Sequence, residues 1–108
     1  MTKEASVSFD ETSRALLKDP ETAAMYLEEC LEDGDIELFK HALKHVADAQ
    51  PGGMTALSKA TLRTREALYR SLSEKGNPRL DTLTKVLDAF GLRISVSVKH
   101  NPAERHIH

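Results

Sequence analysis

The sequence predicts an all-α domain of five helices followed by a single C-terminal β-strand. Three observations predict it. Apolar residues recur at three- and four-residue spacing through most of 20–90, cap residues with glycine or proline stops punctuate that period, and from Leu92 the period becomes two. At 108 residues the chain has room for one hydrophobic core. The expected division is a flexible N-terminal arm over 1–19, a domain over 20–98 and a flexible tail over 99–108.

The first helix is predicted to begin at Asp19-Pro20, a capping carboxylate followed by proline at the first helical position, and to bury Ala24, Leu27 and Leu31 before stopping at Asp33-Gly34. Asp35 then caps IELFKHALKHVADAQ, in which Ile36, Phe39, Leu43, Val46 and Ala47 form one apolar stripe ended by Pro51-Gly52-Gly53. Thr55 is read as the cap of a short helix through Thr61, with Leu57 and Ala60 inward. Thr64 caps the next, REALYRSLSEK, which Gly76-Asn77-Pro78 stops, and the last helix covers about Leu80 to Phe90. Beyond it Leu92, Ile94, Val96 and Val98 alternate with Arg93, Ser95, Ser97 and Lys99, the pattern of a half-buried strand. A lone strand needs a ladder partner, so these four apolar residues are candidates for a homodimer contact; an extended tail packed on the helices is the other reading.

Composition narrows the function classes. Met1 to Gln50 hold five Lys/Arg against twelve Asp/Glu, whereas Pro51 to His108 hold ten against five, so only the second half suits a polyanion. There is one cysteine and no long apolar run, and MTKEASVSFDETS lacks the apolar stretch of a secretion signal; the expectation is a cytoplasmic protein without a disulfide. No phosphate-binding glycine loop, nucleophile elbow or paired-carboxylate cleft is legible, so neither an enzyme nor a cofactor is expected. His41 and His45 have two-ligand spacing but fall opposite the Phe39/Leu43 stripe and are read as solvated, with no metal assigned. Cys30 is read as a small buried apolar residue.

Gly53 to Gly91 carry the functional signal: short helix, three-residue turn, short helix, tight loop, longer helix. Two short helices joined in this way make a helix-turn-helix unit, here about 55–75, whose second helix enters the DNA major groove. On a helical wheel Ala67, Leu68, Ser71 and Leu72 share the inner face, and Arg65, Glu66, Tyr69, Arg70 and Ser73 the outer one. An ordinary surface helix would split similarly; the position after a capped helix and turn, in the basic half, favours a reading helix. Arg65 and Arg70 can each donate twice to guanine, Glu66 can accept from cytosine, and Tyr69 can touch a thymine methyl or a phosphate. Thr55, Lys59, Thr64, Ser73, Lys75, Asn77 and Arg79 are the candidate phosphate contacts around it.

The runs GGMTALSKAT and TREALYRSLSEKGNPRLDTLTKVLDAFGLR, with AAMYLEECLEDGDIELFKHAL upstream, resemble the HigA-type addiction module antidote proteins of the Xre, lambda-repressor-like class. The resemblance implies a lambda-repressor-like fold and an antitoxin that neutralises a small, basic RelE/HigB-like toxin and represses their shared operon on double-stranded operator DNA. The alternative is a protein-interaction module, or a phage-type repressor without a toxin. The acidic run Glu28, Glu29, Glu32, Asp33, Asp35, Glu37 is a solvated helix-end cluster or a surface for such a toxin. The chain departs from the family where Leu62-Arg63 replace Gly-Leu in the turn before the reading helix. Either Leu62 swings into the core with a rearranged turn, or Arg63 snorkels over the pocket.

Overall fold

The computed structural model describes residues 11–32 and 34–99. Among them are six helices and no strand: α1 (Glu11–Leu16), α2 (Pro20–Glu32), α3 (Ile36–Ala49), α4 (Gly53–Thr61), α5 (Arg65–Ser71) and α6 (Leu80–Ala89). The central helix is α3, which packs against α1, α2 and α4; α4 in turn carries α5 and α6. Leu43, Val46, Leu68 and Val86 are wholly buried at the junction of these helices. Burial of that kind supplies the main favourable term in folding.

Three helix starts follow the caps legible in the sequence. The Asp19 carboxylate accepts from the Thr22 amide at 3.1 Å and from its hydroxyl at 3.0 Å. Asp35 accepts from the Leu38 amide at 3.1 Å, and Thr64 from the Ala67 amide at 3.0 Å. Each of the three bonds from an amide satisfies a donor that the helix leaves without an internal partner. The start of α4 differs from expectation. It opens at Gly53 after Gly52, whose φ is 84°, and Thr55 lies inside the helix rather than at its cap. A Cβ on Gly52 would come within 2.7 Å of Ala56 Cβ, so the turn is specified by glycine and not by a hydroxyl.

The expected arm over 1–19 does not describe residues 11–19. They form α1 and a turn, and Leu17 enters the core while its carbonyl accepts from Gln50 Nε2 at 3.3 Å. A helix of six residues anchored by one leucine is too short to show a period. Residues 1–10 and 100–108 lie outside the described residues.

The expected strand over Leu92–Val98 is not formed. Leu92 packs against the core and its amide donates to the Leu87 carbonyl at 2.8 Å, after which the chain is irregular and exposed. Alternation specifies which side chains share a face, but a strand exists only with a ladder partner, and no other described segment supplies one. Ile36, Leu31 and Ala60, expected inward, are also exposed; each lies at an end of its helix, Ile36 at the start of α3, Leu31 and Ala60 in the last turns of α2 and α4.

Cys30 is buried, and near it the Tyr26 hydroxyl lies 2.8 Å from His45 Nδ1. Burial, with Cys30 adding to it, pushes the Tyr26 hydroxyl up to about 12, so it stays protonated in its hydrogen bond with His45. His45 is therefore half-buried and bonded, not solvated, whereas His41 is exposed. Burial, then the nearby His41, lower the His45 pKa from 6.5. A histidine held neutral in the fold contributes stability above its unfolded pKa and loses it as pH falls from about 6.5 toward the depressed folded value. Thermal unfolding is expected to show stability falling over that window, and His45→Gln, which removes the titrating ring, to flatten the dependence. An equally steep profile in His45→Gln would contradict the assignment.

Candidate nucleic-acid interface

Helix α4, a turn over 62–64 and helix α5 form the constellation that the sequence singled out. The turn is made by Leu62 in the left-handed region, with φ 59° and ψ 35°. Its amide donates to the Lys59 carbonyl at 3.4 Å, and the Arg63 amide to the Ser58 carbonyl at 3.1 Å, which closes the end of α4. The Leu62 side chain points into solvent at 83% exposure. Leu62 thus does not swing into the core but keeps the glycine-like backbone, and the half-buried Arg63 places Nη2 3.6 Å from Asp81 Oδ2 at the start of α6.

A side chain in this backbone region costs roughly 1–2 kcal/mol. Leu62→Gly relieves that strain but makes the unfolded chain more flexible, by about 0.4–1 kcal/mol. The net expectation is a gain of up to about 1.6 kcal/mol, read as a higher Tm in thermal unfolding. A lower Tm would show that the leucine side chain itself contributes to the fold.

Helix α5 is short, ending at Ser71 rather than continuing to Lys75. Its inner face is as expected: Leu68 and, just past the helix, Leu72 are buried, with Ala67 and Ser71 half-buried. Arg65, Glu66, Tyr69 and Arg70 are all exposed on the other side. The Arg65 guanidinium carbon sits 5.8 Å from the centre of the Tyr69 ring, a cation–π contact that holds two of the four together. None of the four makes an ion pair among the described residues, so their donors and acceptors are available to a ligand.

The phosphate candidates distribute over three places. Thr64 is at the start of α5, where its oxygen is engaged as the cap. Ser73, Lys75 and Asn77 lie on the loop that follows α5, and Ser73 Oγ donates to the Arg70 carbonyl at 2.8 Å. Arg79 precedes α6, 82% exposed, with Nε 3.5 Å from Asp81 Oδ1. Thr55 and Lys59 are exposed on α4, but Thr55 no longer offers a helix N-terminus to an anion, since the helix begins two residues earlier.

One residue that organises this region was missed. Lys40 is 2% exposed, and its ammonium donates to the carbonyls of Ser73 at 2.8 Å, Glu74 at 3.3 Å and Gly76 at 2.7 Å, with Glu37 Oε2 at 3.0 Å. A buried ammonium is tolerable only when its charge and protons are met in this way. The signal was present: Lys40 falls within the apolar stripe of α3, four residues after Ile36 and three before Leu43. The loop is also tight at Gly76, where a Cβ would lie 2.0 Å from the Arg70 carbonyl oxygen and 2.7 Å from that of Ser71.

No helix among the described residues is long and apolar enough to cross a membrane. Residues 6–98 match the family described as "Probable addiction module antidote protein". An uncharacterized protein of Haemophilus influenzae (strain Rd) is 36% identical over 80 residues, covering 74% of this chain and 80% of that protein. No solved structure matches. With the match running from before α1 to the end of the segment after α6, the chain belongs to the probable addiction module antidote protein family.

Proposed function

We propose that the chain is a DNA-binding antitoxin of the HigA type, a helix-turn-helix protein of the lambda-repressor-like class that represses its own operon. It acts without catalysis or cofactor, in the cytoplasm, and neutralises a small RelE/HigB-like toxin. The observation that carries the DNA reading is the division of α5: Leu68 and Leu72 hold it to the core while Arg65, Glu66, Tyr69 and Arg70 face away from it. A seven-residue helix mounted on a second short helix, with two arginine forks outward, presents the donors that guanine edges accept. Membership of the antidote family supports the toxin partner.

The test is footprinting of the DNA upstream of the chain's own gene with the purified protein. Two protected half-sites about one helical turn apart, ~34 Å, are expected of a dimeric reader. Absence of protection at about 50 mM salt, where phosphate-driven binding is strong, would reject the reading.

The same proposal assigns the dimer contact to Leu92, Ile94, Val96 and Val98. Ile94, Val96 and Val98 are exposed at 44%, 94% and 75%, which leaves their apolar surface and the backbone beside it for a second copy to cover. A chain ending at Gly91 is expected to sediment as a monomer where the full chain sediments as a dimer. An unchanged dimer would remove the segment's role.

A further inference from the structure

We infer that the groove between α2 and α6 receives residues 96–99 of a second copy of this chain. The inference rests on the homodimer reading and deepens it, since it names the surface on which the C-terminal segment lands. The groove floor is apolar: Leu27, Phe39 and Leu87 are buried and Leu83 is half-buried. Leu31, exposed although its period points inward, and the Glu28 carboxylate stand on the α2 rim. The opposite wall is the chain's own run over 92–95.

Charge and reach select the occupant. Helix α2 carries Glu21, Glu28, Glu29 and Glu32 and no Lys or Arg, and none of the four is ion-paired among the described residues. That field repels a nucleic acid and attracts a cation. The segment after α6 has the opposite character: Arg93 and Lys99, with no acid between them, around Ile94, Val96 and Val98. It lines its own groove only as far as Ser95, and Val96, at 94% exposure, and Val98, at 75%, then stand clear of the helices. The chain thus holds an apolar, cationic segment and an apolar, anionic groove that it does not join within one copy. Residues 93–99, when extended, reach about 23 Å, enough to cross to a neighbouring copy. Exchange about a twofold axis makes the same contact twice, so both segments and both grooves are covered.

The test is sedimentation equilibrium of the full chain, with thermal unfolding beside it. Leu31→Lys is expected to weaken the dimer about tenfold, because it removes apolar area from the rim and sets a cation against the partner's cations. Glu28→Lys is expected to weaken it about fivefold. Met25→Lys, which puts the same charge on an exposed position of α2 outside the groove, is expected to leave it unchanged. All three positions are exposed, so the Tm should hold; if one groove variant fails to fold, the other decides. Wild-type dimerisation in the folded groove variants, or equal weakening in Met25→Lys, would overturn the proposal. Groove variants that stay dimeric yet lose a co-purifying partner protein would overturn it too, since the groove would then belong to that partner. A wild-type chain that sediments as a monomer would instead overturn the homodimer reading beneath it.

Discussion

Replacing Arg65 and Arg70 together by alanine is expected to weaken operator binding by about thirtyfold to twenty-thousandfold, because each bidentate guanine contact contributes about 1–3 kcal/mol of discrimination. Both residues are exposed, and neither is ion-paired among the described residues. The fold loses only the Arg65–Tyr69 cation–π contact, about 0.5–1 kcal/mol at an exposed site. Tm should consequently fall by only a few degrees. Gel-shift titration beside thermal unfolding separates the two effects: affinity collapses while the fold persists. Retained affinity would mean that α5 is a surface helix without a reading role.

Gly76→Ala is expected to do the reverse, acting on stability first. A Cβ at this position would lie 2.0 Å from the Arg70 carbonyl oxygen and 2.8 Å from the Ser71 carbonyl carbon. Those are backbone atoms at the end of α5, so no rotamer change relieves the clash; the loop or the helix end must move. The loop is also tied from the other side by Lys40, which resists that movement. Overpacking of this kind costs about 1–3 kcal/mol. The Tm is expected to drop by about 4–24 °C, at roughly 4–8 °C per kcal/mol for a domain of this size. An unchanged Tm would mean that the loop accommodates a side chain and is not locked.

Much of this arrangement was legible in the residues. Asp19, Asp35 and Thr64 act as caps because an Asp or Thr before an apolar period has a local job that tertiary packing does not revise. The two faces of α5 follow from period alone, since Leu68 and Leu72 are four residues apart. What escaped the sequence depends on partners distant in the chain. Lys40 contacts a loop more than thirty residues away, and no local pattern announces three converging carbonyls. The segment from Leu92 carries an unambiguous alternation, yet alternation cannot provide the second strand that a ladder requires. Thr55 shows a rule with two solutions: a hydroxyl cap and a glycine turn both start a helix, and the Gly52-Gly53 pair started α4 first. At Leu62 the sequence leaves two geometries open, and only packing decides between them. The glycine-like backbone is retained and the leucine is turned out to solvent.

Methylation interference on the upstream DNA tests most directly whether α5 reads base edges. A methyl on guanine N7 removes one of the two acceptors that an arginine fork uses. The account predicts that methylating one or two guanines in each half-site abolishes binding of the wild-type chain, and that Arg65→Ala and Arg70→Ala each lose sensitivity at a different guanine. The same interference pattern in the wild type and both variants would contradict it.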